Sequence, residues 1–176
     1  MSDKNGKIRV PRLVVLAAVA AAVTAADQMT KFYAAAYLSK VDTFPLIKNV
    51  LHFTFVKNEG AAFGILSDKR WVFMILSCVA LAAIAVYAVI NRRGSLLSGV
   101  ALAMIFGGGV GNMIDRIANG YVVDFIDFRL INFYVFNVAD SCVCIGCGLL
   151  ILSFILVNNE KRRVTKENEK EEREDG

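Results

Sequence analysis

The chain has 176 residues, 56% of them hydrophobic and 20% charged, against about 45–50% apolar in an ordinary globular domain. The last 17 residues (160–176) hold six Lys/Arg and seven Asp/Glu, which leaves 14 and nine for the first 159. A body so poor in polar surface, with Pro only twice, excludes a water-soluble domain and low-complexity disorder, and the length allows one domain. The expectation is a membrane domain over 1–159 and a charged tail over 160–176. The tail reads as a solvated, frayed helix whose Lys161-Arg162-Arg163 touch anionic headgroups.

Four apolar stretches follow in chain order. Leu13–Ala26 runs 14 residues without a charge, Trp71–Ile90 runs 20, Leu96–Ile114 runs 19 with one Asn, and Ser141–Val157 runs 17. A helix rises ~1.5 Å per residue and the hydrocarbon core is ~30 Å thick, so a span takes ~20 residues. Only the second stretch reaches that alone. The first must continue through Asp27 and Lys31 to about Leu38. The third must include Asn112 and end at Asp115-Arg116, and the fourth must begin at or before Asp140. The expected spans are 13–38, 71–90, 96–115 and 140–157, with longer connections over 39–70 and 116–139.

Basic residues set the orientation. Lys4, Lys7, Arg9 and Arg12 precede the first span, Arg92-Arg93 link the second to the third, and Lys161, Arg162, Arg163 and Lys166 follow the fourth. With four spans, all three clusters and both termini are cytoplasmic, and the two longer connections face outward. The N-terminal pattern also fits a cleaved signal peptide. Continuation of the apolar helical pattern through Phe32, Tyr33 and Ala34–Ala36 favours a retained helix. Counted from Leu13, Asp27 sits ~21 Å up a ~30 Å slab, beneath the outer headgroups. Ionisable groups at that depth are costly and mark a functional site. The plain alternative is local pairing of Asp27 with Lys31 and of Asp115 with Arg116. That alternative does not cover Asp124 or Asp140.

The first outer connection reads as β structure. Leu51–Val56 alternates, Asn58-Glu59-Gly60 makes a turn, and Ala61–Leu66 returns as a second apolar run. Such a sheet on the membrane surface would present Phe53, Phe55 and Phe63 to lipid or substrate. His52, the single histidine, has no second ligand beside it and reads as structural. In the third span, Gly107-Gly108-Gly109 and Gly111 permit close helix approach. No Lys-Ser/Thr follows, so they form no phosphate loop.

The second outer connection holds Val123-Asp124-Phe125 and Phe136-Asn137-Val138-Ala139-Asp140, apolar runs with isolated carboxylates. Asp140 has a bland reading as a helix cap. Asp124 has none. Two carboxylates in a poorly solvated pocket cannot both ionise, so the pair offers a base and an acid together. That suits attack of water on a peptide bond without a metal. Serine-hydrolase chemistry lacks a Gly-x-Ser-x-Gly motif. Cys142-x-Cys144-x-x-Cys147 falls inside an apolar span, where Cys acts as a small hydrophobe. A transporter would spread charges over membrane depth, whereas here they gather on one side, and a bare scaffold leaves Asp124 unexplained.

Five short blocks, in order, resemble the lipoprotein signal peptidase (signal peptidase II) family of bacterial membrane aspartic proteases. They are Asp27-Gln28-x-x-Lys31, Asn58-x-Gly60-Ala61-Ala62-Phe63, Gly108-Gly109 leading into Gly111-Asn112-x-x-Asp115-Arg116, Val123-Asp124-Phe125, and Phe136-Asn137-x-Ala139-Asp140. The resemblance implies an all-α membrane protein of four transmembrane helices, with a small β-rich extracytoplasmic cradle and a short amphipathic surface helix. It implies Asp124 and Asp140 as catalytic residues, and Asn112, Arg116, Asn137 and Asn58 as residues that orient the pair or hold substrate. Asp27, Lys31, Asp115, Gly108 and Ala139 take supporting places. The implied substrate is a diacylglyceryl-modified prolipoprotein, cut just before the lipidated cysteine, and the implied inhibitor is globomycin. No metal or other cofactor and no nucleic acid is expected. The implied enzyme is a monomer among the lipids of the bacterial cytoplasmic (inner) membrane, with its active site near the outer face.

Overall fold

A computed structural model describes residues 12–60, 70–90 and 94–174. Helix α1 covers Arg12–Tyr37 and passes without a break through Asp27 and Lys31. A 3-10 turn, Leu38–Lys40, leads into strands β1 (Thr43–Ile47) and β2 (Leu51–Asn58). Helix α2 (Arg70–Ile90) and helix α3 (Leu96–Ala118) follow, then β3 (Val122–Phe128), a second 3-10 turn at Arg129–Ile131, and helix α4 (Val138–Glu174). Among the described residues, three helical stretches are long and apolar enough to cross a membrane: Arg12–Lys40, Leu96–Ala118 and Val138–Arg163. The segment expected to span most readily, 71–90, has the shortest described apolar stretch, Met74–Ile90.

Helix α3 packs against each of the other three, and its glycines explain how. Consecutive helical residues point about 100° apart, so Gly107, Gly108 and Gly109 face three different neighbours. A Cβ on Gly107 would meet the Ala20 carbonyl of α1 at 2.5 Å, one on Gly108 the Ala139 carbonyl of α4 at 2.5 Å, and one on Gly109 the Leu81 side chain of α2 at 2.9 Å. Thr24 seals the first contact by donating to the Gly107 carbonyl at 2.9 Å. The outward sides of α1, α2 and α4 stay apolar, with Val14, Ile75, Val79, Ile151 and Phe154 exposed. A protein embedded in a membrane covers such faces with lipid.

The strands form one antiparallel sheet in the order β1-β2-β3 at one end of the bundle. A register shift between Phe53 and Val56 gives β2 one extra residue against β3, so that Val56 pairs Asp124 and Asn58 pairs Val122. Phe136, just ahead of α4, pairs with Ile126: its N–H donates to the Ile126 carbonyl at 3.0 Å, and its carbonyl accepts from Ile126 N–H at 2.8 Å. That bridge ties the start of α4 to the strand carrying Asp124.

One expectation changes. Phe53 and Phe55 do not face outward: they pack on a core of Ala34, Val123 and Phe125 that joins the sheet to α1. Alternation says that they share a face but not which face is covered. The return run Ala61–Leu66, with Phe63, lies outside the described residues. No short amphipathic surface helix stands among the described elements, whose other helical pieces are the two 3-10 turns. His52 is buried in the sheet, its Nε2 accepting from Asn49 N–H at 3.3 Å.

Candidate active site

The site is built where α1, α3, β3 and the start of α4 meet. Its base is a cluster of buried charge. Lys31 and Asp27, one turn apart on α1, pair at 2.8 Å, and Lys31 also reaches Asp115 of α3 at 3.1 Å. The third Lys31 donor goes to Asn112 Oδ1 at 2.8 Å. An ammonium has three N–H donors, and all three are used. The carboxylates are further satisfied by backbone. Asp27 Oδ1 accepts from Ala139 N–H at 2.9 Å, and Asp115 Oδ2 from Val123 N–H at 3.1 Å. Buried charges are tolerated when paired and hydrogen-bonded in this way. The Ala139 bond also places a carboxylate at the N-terminus of α4, where the first N–H groups lack helical partners and the helix dipole favours negative charge.

Helix α4 starts with a capping box one turn wide. Asn137 is the cap: its Oδ1 accepts from Asp140 N–H at 2.9 Å, and its own N–H donates back to Asp140 Oδ2 at 3.3 Å. Asp140 is therefore the third residue of the helix rather than its cap. The Asn137 amide nitrogen does separate work. It donates to Asp124 Oδ1 at 2.7 Å and to Asn112 Oδ1 at 3.0 Å. One asparagine thus starts α4 and holds both carboxylates.

Each carboxylate is held by N–H donors. Asp124 Oδ2 accepts from Asn58 Nδ2 at 2.8 Å, and Asn58 is oriented by Gly60 N–H donating to its Oδ1 at 3.1 Å. Asp140 Oδ1 accepts from Asn112 Nδ2 at 2.8 Å. Burial pushes the Asp124 carboxyl up to about 6, and the nearby Asp140 charge adds to that. The hydrogen bonds from Asn58 and Asn137 and the Lys31 charge hold it from going higher. Arg116 is more loosely held than the rest. Its guanidinium donates to the Asn112 carbonyl at 3.3 Å and stands in electrostatic range of Asp140, Asp124 and Asp115.

The residues singled out in the sequence therefore meet. Asp27, Lys31, Asn58, Asn112, Asp115, Asp124, Asn137, Ala139 and Asp140 form one hydrogen-bonded network, Gly108 lies against Ala139, and Arg116 borders the carboxylates. Of the two local pairs in the plain alternative, Asp27 with Lys31 forms and Asp115 with Arg116 does not: Asp115 turns to Lys31. Adjacent residues on a helix do not face each other. A family model described as signal peptidase (SPase) II matches residues 19–156. The chain belongs to the signal peptidase II family. Members of this family are aspartic proteases, which accords with a site made of carboxylates.

Relatives support the assignment over most of the chain. The lipoprotein signal peptidase of Brevibacillus brevis is 41% identical over 144 residues, 82% of this chain and 97% of its own length. That of Halothermothrix orenii is 44% identical over 126 residues, 72% of this chain and 85% of its own. A bacterial membrane enzyme solved by the in meso method at 2.3 Å resolution superposes with a TM-score of 0.74 at 34% identity. The match covers 84% of this chain and 91% of that one.

Gln28, left without a role by the sequence, joins the network, and Gly111, expected to permit close helix approach, shows what it lets in. Gln28 Nε2 donates to Asp115 Oδ1 at 3.0 Å and to the Gly111 carbonyl at 3.1 Å, linking α1 to α3. Gly111 leaves room for the Asp27 carboxylate, whose Oδ2 a Cβ there would strike. The signals were a glutamine inside the Asp27–Lys31 block and a glycine one turn before Asp115.

Proposed function

We propose that this signal peptidase II removes the signal peptide from diacylglyceryl-modified prolipoproteins, cutting just before the lipidated cysteine with Asp124 and Asp140 as the catalytic pair. The observation that carries the reading is the single side chain of Asn137, bonded to Asp124 and capped onto Asp140. In such a pair one carboxylate takes a proton from water as the oxygen attacks the scissile carbonyl carbon. The other, protonated, gives its proton to the carbonyl oxygen. Asn112, Asn137 and Asn58 hold the carboxylates, and Arg116 stands by for the substrate backbone or developing charge.

The same reading places the protein in the bacterial cytoplasmic membrane as a four-span monomer, with both termini cytoplasmic and the sheet end outward. Helix α2 supports the fourth span by length, since its 21 residues reach ~31 Å at ~1.5 Å each. The substrate's apolar signal helix and acyl chains stay in the bilayer, so its scissile bond arrives at the interface, where Asp140 begins α4 and Asp124 lies beside it on β3. A low dielectric there strengthens the coupling between them.

The test is to incubate purified protein in lipid with a diacylglyceryl-modified prolipoprotein, with and without globomycin. Release of the signal peptide, blocked by globomycin, is the expected result. Equal cleavage of the unlipidated precursor would refute the substrate assignment.

A further inference from the structure

The hydrogen-bond directions around Asn112 carry an inference about the two carboxylates, resting on the catalytic pair proposed above. An asparagine amide can sit in two orientations that differ by exchange of oxygen and nitrogen. With Oδ1 toward α1, Asn112 donates Nδ2–H to Asp140 Oδ1, at 2.8 Å. Turned round, it would set its oxygen against the same carboxylate and favour a protonated Asp140. Lys31 decides between them. Its ammonium can only donate, and it meets Asn112 at 2.8 Å. The Asn137 amide nitrogen, donating to the same oxygen at 3.0 Å, agrees. We propose that Lys31 is a positioning residue for the reaction: by holding the Asn112 amide oxygen it keeps Asp140 the ionised member of the pair, the base that takes water's proton, and leaves Asp124 as the acid.

The surroundings of the two carboxylates fit this division. Asp140 lies in the first turn of α4, where the helix dipole favours negative charge. It faces Asn112 and Arg116 from α3 and Asp124 from β3, and its own N–H is bonded to Asn137. From α1, Lys31 acts on it through Asn112, and Asp27 holds the neighbouring Ala139 N–H. Asp115 faces Lys31 instead of Asp140. Asp124 sits on a strand, and its burial favours the protonated form. The proton balance is then complete. Asp140 takes a proton from water as oxygen bonds to the carbonyl carbon, and Asp124 gives its proton to the carbonyl oxygen, leaving a neutral gem-diol. On collapse the C–N bond breaks, Asp140 passes its proton to the leaving nitrogen, and Asp124 recovers one from a gem-diol hydroxyl. Both carboxyls end as they began, and the products are a carboxylic acid and an amine.

The experiment is the pH–rate profile of Lys31→Met and Lys31→Arg on a diacylglyceryl-modified prolipoprotein, in protein shown by its unfolding transition to be folded. With the ionic one of its two donors gone, and only the Asn137 amide left on its oxygen, Asn112 holds its orientation less firmly, and the acid limb, which reports the base, moves up by about one pH unit. The kcat falls on the order of 100-fold while KM holds within twofold. Lys31→Arg, which keeps a donor-only cation, shifts the limb less. If Lys31→Met does not fold, Asn112→Leu breaks the same link from the other side and is read by the same rule. An acid limb left in place in the folded variant overturns the proposal, whatever the activity. Wild-type cleavage by Asp140→Asn would instead mean that the catalytic pair itself is misassigned.

Discussion

Asn137 separates two roles that one residue usually does not combine, and substitutions can take them apart. Asn137→Ala removes the cap on α4, worth about 1 kcal/mol. It also removes the 2.7 Å donor to Asp124, and at a pH above about 6, where that carboxyl is ionised, a bond to a charged, buried acceptor is worth about 1.5–3 kcal/mol. The Asn112 oxygen loses little, because Lys31 still holds it at 2.8 Å. The expected cost is therefore about 2.5–4 kcal/mol of stability. Asn137→Asp keeps the cap, since Asp caps as well as Asn, but sets a third carboxylate between Asp124 and Asp140. The Asn137 donor is one of the groups holding the Asp124 carboxyl down at about 6. Its loss moves that ionisation upward, and a like charge in its place moves it further. The alkaline limb of the pH–rate profile should thus shift up in Asn137→Ala and more in Asn137→Asp. Equilibrium unfolding in mixed micelles gives the stabilities, and cleavage of a lipidated precursor across pH gives the limbs. A cost below 1 kcal/mol for Asn137→Ala, together with an unmoved alkaline limb in both variants, would refute the bridging role.

Gly111→Ala tests the packing beneath the site. The added Cβ strikes the Asp27 carboxylate and so strains its bonds to Lys31 and to Ala139 N–H, at 2.8 and 2.9 Å. Overpacking alone costs about 1–3 kcal/mol, so a lowered unfolding midpoint is expected, with Asp27→Ala in the same chain relieving part of the clash. An unchanged midpoint would mean that α1 and α3 separate freely there. Asp127 provides a control away from the site. Burial raises its carboxyl, but Arg129 at 2.9 Å, Thr54 at 2.7 Å and nearby positive charge outweigh that and hold it below the ordinary carboxylate range. A carboxyl lowered in the folded state stabilises above its unfolded pKa and loses that stabilisation as pH falls through the folded value. Asp127→Asn should therefore be less stable than wild type at neutral pH, with the gap closing in acid and cleavage little affected. A gap constant with pH would refute the ionic origin.

The helices were legible because their apolar runs are long, and the polar residues inside them, Asp27, Lys31 and Asn112, mark the site. Strand β2 was legible from the alternation over Leu51–Val56. The other strands were not, for physical reasons. β1 is a five-residue edge strand carrying Pro45, and proline is tolerated at an edge but depresses any strand reading. β3 is covered on both faces from Val122 to Phe125, so its residues show no alternation and read as an apolar run with stray carboxylates. The site residues were legible as types and spacing, but their partners were not. Asp115 and Arg116 are neighbours in sequence yet point to different partners, Lys31 and the Asp124/Asp140 region. Asn137 and Asp140 are both good capping residues three positions apart, and only the start of α4 at Val138 decides which one caps. Gln28 acts through contacts between α1 and α3, which no local pattern records, and the glycine run signalled close helix approach at Gly111 but not its neighbour, Asp27.

The central claim is that Asp124 and Asp140 carry out the hydrolysis together. Its most direct test is signal-peptide release from a diacylglyceryl-modified prolipoprotein by Asp124→Asn and Asp140→Asn, each reconstituted in lipid. Insertion and the unfolding transition serve as checks on the fold. Each substitution keeps the side-chain shape and removes the titrating proton, so release should fall to background in both while the protein stays inserted and folded. Full activity in either variant would contradict the account.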